Sequence, residues 1–238
     1  MGRKSKRRKQ QDMAARKKEI LECKELLKTM EVPLLKDDNT IGFVKNSRVM
    51  VIMRGLPGSG KSTVVRLIQH VYFKAVVCSA DDYFLNPQGS YIFDQGKIKA
   101  AHEACQAKAL QACESGVSPV VIDNTCVRRW EMVHYAKLAD AHRYVVIVLE
   151  PHTPWKHDPA ELAKRNKHGV TEEILAQKLA SFELAIPYYF AWCLNQKSSN
   201  RVYHEAEKFF HKCLKSVPEF AAQLRSTHSS GENFCNNW

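Results

Sequence analysis

Apolar residues form continuous runs at four places in the chain and follow helical spacing between them. Val49–Met53 is unbroken by any polar residue, the pattern of a strand covered on both faces. Ala75–Cys78, Val120–Ile122 and Tyr144–Leu149 repeat it. Between these runs the pattern predicts helices over Lys61–Tyr72, Gln95–Ser115 and Trp130–Ala141, the first of them preceded by a glycine-rich turn. Strands alternating with helices of this length predict an α/β fold, a parallel sheet with helices on both faces. Such sheets bind ligands beyond the carboxyl ends of their strands. After Glu150 the pattern turns helical, over Pro159–Lys167 and Thr171–Ala185 with a break at Gly169, then over Ser199–Val217. This gives the domain a helical C-terminal extension, with an aromatic stretch at Tyr188–Leu194 that reads as a late strand. Ahead of the first strand, Ile20, Cys23, Leu27 and Met30 put one apolar stripe on a helix that ends before Pro33. Val32–Asn46 reads as a linker. Residues 1–11 hold no apolar side chain beyond Met1 and are expected to be disordered.

The 238 residues suit one domain with tails. We divide them into a basic arm and amphipathic helix (1–31), a domain (32–225) and a tail (226–238). No apolar run approaches the roughly 18–20 residues of a membrane span. The start, Met1 to Lys9, lacks the apolar centre of a secretory signal. Gly2 does not make a myristoylation site, because position 6 is Lys6. Eight cysteines include no C-x-x-C pair, so they read as reduced thiols of the cytosol or nucleus rather than zinc ligands. Charge changes the picture more. Arg3, Lys4, Lys6, Arg7, Arg8, Lys9, Arg16, Lys17 and Lys18 face only Asp12, so residues 1–18 carry eight of the eleven net positive charges. The basicity belongs to the arm, which reads as a polyanion-binding segment, a nuclear-localisation stretch or a solvated tail with no partner.

Four polar clusters follow the predicted strands. Gly55-Leu56-Pro57-Gly58-Ser59-Gly60-Lys61-Ser62 completes the Walker A pattern G-x-x-x-x-G-K-[ST], with Thr63 next in the helix. Its glycines let successive backbone N–H groups face phosphates, Lys61 supplies a charge for the β- and γ-phosphates, and Ser62 offers a hydroxyl to Mg²⁺. The strand before it and the helix after it supply the required setting. Gly55, Gly58, Ser59, Gly60, Lys61, Ser62 and Thr63 are thus the candidate ATP-binding residues. Ser79-Ala80-Asp81-Asp82 follows the second strand, where Asp81 is either an acceptor-side carboxylate or a turn cap. Asp123 ends the third strand and is a candidate Mg²⁺ residue of Walker B type, or again a turn residue. Lys164-Arg165-Asn166-Lys167-His168 is either a basic lid over the phosphates or a solvated helix face.

These clusters, in this order, resemble the polynucleotide 5′-hydroxyl kinase branch of P-loop proteins. More closely they are similar to the N-terminal kinase-like domain of the 2′,3′-cyclic nucleotide 3′-phosphodiesterase family. Val32–Asp38, Met53–Thr63, Ser79–Asp81, Glu150–Trp155, Pro187–Trp192 and Lys197–Ser199 carry the similarity. It implies a P-loop NTPase fold, ATP and Mg²⁺ as ligands, and 5′ ends of RNA or DNA as acceptors. It also implies an acceptor-orienting role for Asp81, a lid role for Arg165, and a family position for Thr125 after the third strand. Three positions depart from the pattern. Phe84 and His168 stand where the phage member of that branch has arginines, and Cys126 replaces an asparagine. The phosphodiesterase activity of that family needs two H-x-[ST] motifs, and only His228-Ser229-Ser230 fits. The expected function is therefore transfer from ATP to a 5′-hydroxyl, catalysed by Lys61, Asp81 and Arg165. Non-catalytic nucleotide and RNA binding, or a family member lacking the phosphodiesterase domain, are the alternatives.

Overall fold

The computed structural model describes residues 2–29 and 32–183. Four strands, β1 (Val49–Met53), β2 (Val76–Cys78), β3 (Val120–Asp123) and β4 (Val145–Leu149), form one sheet in the order β2-β3-β1-β4, and every pairing is parallel. All five β1 residues are buried. Val49, Val51 and Met53 enter one core cluster, and Met50 and Ile52 the other. This alternation is why the strand reads as an unbroken apolar run.

Helices fill both faces. On the first lie α1 (Gly2–Thr29), α2 (Pro33–Lys36), α3 (Asp38–Asn46) and α4 (Lys61–Val71). On the second lie α5 (Ile98–Glu114) and α6 (Trp130–Ala141). Two further helices, α7 (Pro159–Arg165) and α8 (Glu172–Ala180), pack over the strand ends around a third cluster of Leu56, Val127, Leu162 and Leu175. The second core face also holds the thiols of Cys78, Cys105, Cys113 and Cys126, while Cys23 is buried on the first; all five are free.

Two readings of the N-terminal region are corrected. The segment that reads as a linker folds into α2 and α3, and Val32, Leu34, Leu35 and Val44 join the core. Asp37 caps α3 by accepting from the Thr40 amide at 2.8 Å, a local bond that begins a helix without a long apolar period. Residues 2–11, expected to be disordered, are helical as the first turns of α1. Arg, Lys and Gln are good helix formers, so lack of apolar content does not forbid a helix continuous with a packed one. On α1 the packed residues are Cys23, Leu26 and Leu27, whereas Ile20 is 38% exposed. Met30, the expected strand at Tyr188–Leu194, the expected helix at Ser199–Val217, His228 and the tail all lie outside the described residues.

The register positions the site. Met53 is level with Asp123 of β3 on one side and Leu149 of β4 on the other. The segments that leave these strands therefore emerge side by side at one edge of the sheet.

Candidate active site

The Walker loop runs from β1 into α4, with Gly55, Gly58 and Gly60 at φ of 144°, 82° and 100°. These angles suit glycine alone, and Gly58 has a second requirement. A Cβ there would sit 2.5 Å from the Leu162 carbonyl oxygen of α7. The loop is therefore pressed against the segment that follows β4. Thr153 Oγ1 donates to the Ser59 carbonyl at 2.9 Å, and Trp155 Nε1 to the Gly58 carbonyl at 3.3 Å. Lys61 Nζ folds back to donate to the carbonyls of Gly55 (2.9 Å) and Leu56 (3.1 Å). Burial pushes the Lys61 ammonium below its ordinary pKa, opposed by the charge of Asp123. Asp123 is pushed up by burial and held down by Lys61, so each stabilises the other's charged form.

Arg54, immediately before the loop, is 1% exposed. Its Nε donates to the Cys126 carbonyl at 2.9 Å, Nη2 to the carbonyls of Val127 and Glu183, and Nη1 to Glu150 Oε1 at 3.0 Å. Phe182 covers the guanidinium, its ring centroid 4.1 Å from Cζ. Lys156 pairs with the other Glu150 oxygen at 3.3 Å. One side chain thus ties the ends of β1, β3 and β4 to the chain after α8. Cys126 takes φ of 45°, a left-handed conformation that asparagine adopts more readily than cysteine. The family's asparagine would fit that backbone, and here Arg54 grips the Cys126 carbonyl.

Asp81 lies on a 3₁₀ turn, Ala80–Phe84, capped by Ser79. Tyr91 Oη donates to Asp81 Oδ1 at 3.2 Å, and His168 Nε2 stands 3.6 Å from Oδ2. Burial and the neighbouring carboxylate push the Tyr91 phenol up to about 12, so it remains a donor at neutral pH. Asn124 braces the same turn from β3's end. Its Oδ1 accepts from the Ala80 amide at 3.1 Å and its Nδ2 donates to Tyr135 Oη at 3.2 Å.

Of the basic run, Arg165 donates twice to Glu161 Oε2 (3.1 and 3.0 Å) and stacks on Trp155 at 4.0 Å. Asn166 organises the turn after α7 by accepting from Val170 N at 2.8 Å and donating to the Val170 carbonyl at 2.9 Å. That turn carries His168 across to Asp81.

These segments enclose a cleft of about 870 Å³, lined by Gly58, Gly60, Lys61, Ser62, Thr63, Asp81, Asp123, Thr125, Arg165 and His168 among others. Gly55 and Ser59 belong to the loop behind its wall. All four polar clusters read from the sequence therefore converge. Five lysines and arginines in the lining (Lys61, Arg66, Arg165, Lys167, Lys178) outnumber two carboxylates, so the cleft suits a polyanion. The glycine cradle and Lys61 fit a phosphate chain. The hydroxyl of Ser62 and the carboxylate of Asp123 are the hard oxygen donors that Mg²⁺ prefers. Sequence reasoning missed Arg54, Trp155, Asn124, Tyr91 and Lys178. Arg54 and Trp155 stood in segments that carry the resemblance, Met53–Thr63 and Glu150–Trp155, but with no role assigned to either.

The family model described as an AAA domain matches residues 50–185, and the chain belongs to that family. Human NEDD4-binding protein 2 is 44% identical over 135 residues, which are 57% of this chain and 8% of that protein. Mouse 2′,3′-cyclic-nucleotide 3′-phosphodiesterase is 30% identical over 205 residues, 85% of this chain and 47% of that one. The chain thus spans about half the length of the phosphodiesterase and a small fraction of the NEDD4-binding protein. The resemblance carried by the motifs is a homology. Among solved structures, a chain from the structure of the Pnkp1/Rnl/Hen1 RNA repair complex aligns at a TM-score of 0.46 and 16% identity, over 57% of this chain and 44% of that one.

Proposed function

We propose that this AAA-family domain transfers the γ-phosphoryl group of ATP to a 5′-hydroxyl of RNA or DNA. The observation that carries the reading is a single cleft whose lining brings Lys61, Ser62 and Asp123 together with Asp81. Lys61 leaves the Gly55 and Leu56 carbonyls to neutralise the β- and γ-phosphates. Ser62 and Asp123 would hold Mg²⁺, which would supply further positive charge to the phosphates. Asp81 orients the 5′-hydroxyl and accepts its proton as the oxygen bonds to the γ-phosphorus and the β–γ bridging bond breaks, releasing ADP. Arg165 and Lys167 stand on the lid side, where charge on the transferring group is neutralised. Phosphoryl transfer is mostly positioning and electrostatics, so these groups are sufficient in kind.

Incubating 5′-hydroxyl RNA with labelled ATP tests the reading, wild type against Asp81→Asn. Transfer by the wild type and its loss in the variant supports it. A wild type that labels no polynucleotide end removes it. The second reading, nucleotide and RNA binding without transfer, is favoured by one feature: Asp81 and Arg165 both already hold protein partners, His168 with Tyr91 and Glu161 respectively.

A further inference from the structure

Beside Asp81 the chain exposes apolar surface that the function so far leaves unused. Tyr83 is 44% exposed, Leu85 48%, Ile92 62% and Phe93 57%. Single exposed apolar residues are ordinary, but these are contiguous and held in place. Leu85 and Tyr91 form an antiparallel bridge. The turn between them is closed by Asn86 Oδ1, which accepts from the amides of Gln88 (3.0 Å) and Ser90 (2.8 Å). Phe84 is buried beneath as a pin. Its ring meets Tyr83 edge-on at 5.7 Å and Tyr91 at 5.9 Å, and is tilted against Phe93 at 5.2 Å. This explains a phenylalanine where the phage kinase has an arginine: here the position supports rings.

The rings and the carboxylate are one unit, because Tyr91 Oη donates to Asp81. The cleft continues from the Walker loop past Asp81 to Tyr91 and Phe93. A rigid aromatic surface in water, next to a positive cleft, matches a ligand with π-faces and phosphates together. A double helix hides its base faces in the stack, and a small alcohol has none. A single strand offers both.

We propose that Phe93, backed by Tyr91 and Phe84, is a stacking platform for a base near the 5′ end of a single-stranded polynucleotide whose terminal hydroxyl lies at Asp81. This deepens and rests on the kinase reading, and it makes single strands the preferred acceptor. Phe93→Ala, Phe93→Tyr and wild type are compared on a 5′-hydroxyl single-stranded RNA, and on the same RNA made abasic at each of its first three positions in turn. Removing one base–aromatic stack should raise the acceptor KM of Phe93→Ala about 5- to 150-fold. Phe93→Tyr should retain most of the affinity, and the dissociation constant for ATP should stay put. One abasic position should cost the wild type a similar factor and cost Phe93→Ala nothing more, since both remove the same stack. Additive losses, an unchanged KM in Phe93→Ala, or a weakened ATP affinity each overturn the platform while transfer by the wild type keeps the kinase reading. A wild type that transfers to none of these RNAs removes both. The wild-type arm of the abasic series is untouched by any folding defect in Phe93→Ala, and the dissociation constant of that variant for ATP reports whether it is folded.

Discussion

Around the Walker loop, polar groups are bound into the frame of the sheet. Around Asp81 they are bound to one another across a gap. At the first end, Thr153, Trp155 and Arg54 hold loop and strand ends from three directions, and the Gly58 backbone touches α7. At the second, a half-exposed carboxylate meets a tyrosine from a surface hairpin and a histidine from the turn after α7. The first end is fixed before a ligand arrives. The second can exchange partners for one. An ATP end that is preorganised and an acceptor end that is adjustable would divide the labour, with affinity and stability resting on the former and turnover on the latter.

The division breaks most visibly at Asp81. Asp81→Asn should retain ATP affinity and lose about 10²–10⁴-fold in transfer, the usual range for a lost general base. Equal turnover in mutant and wild type removes Asp81 from the chemistry. At the other end, Arg54→Met leaves Glu150 facing Lys156 alone and orphans three carbonyls. Breaking a buried pair of this kind costs about 3–5 kcal/mol, so urea unfolding should show a loss of that order. A loss under about 1 kcal/mol, the worth of an exposed pair, would make the clasp dispensable. Lys61→Ala should weaken ATP binding by about 10- to 150-fold, since a hydrogen bond to a charged group is worth about 1.5–3 kcal/mol. Calorimetric titration with ATP and Mg²⁺ reads it, and an unchanged dissociation constant would contradict the P-loop assignment.

The smallest effect lies outside the cleft. Among the described residues the packing of α1 on α4 begins at Glu22 and Cys23, so deleting residues 1–18 spares those contacts. Fold and ATP binding should persist. The slope of log RNA affinity against log salt should flatten by about 0.7 for each phosphate that the arm no longer neutralises. An unchanged affinity and slope would make the arm an address or an idle tail rather than a binding segment.

The same contrast explains what the chain disclosed in advance. β1 and α6 were legible to the residue, because a strand buried on both faces and a twelve-residue helix leave long local patterns. The Walker glycines were legible because their conformation restricts the residue type. Four-residue α2 and nine-residue α3 were not, since Leu34, Leu35 and Val44 are too few to mark a period. Nor was the grip on the loop: Trp155 and Gly58 are 97 positions apart, and no local pattern joins them. The convergence of Asp81, Asp123 and the Walker loop was expected from strand ends alone. The meeting of His168 with Asp81 needed the fold of the turn after α7.

The buried cysteines give the protein an internal clock. Burial pushes the thiols of Cys78 and Cys113 up to about 12 and about 11, and Cys105 upward as well, so little thiolate exists at neutral pH. A reagent that attacks thiolates should reach them when the layer of α5 and α6 opens from the sheet, and the liberated thiols would then react at ordinary rates. The pace of their labelling in native buffer would time the opening of that layer, with no probe added to the chain.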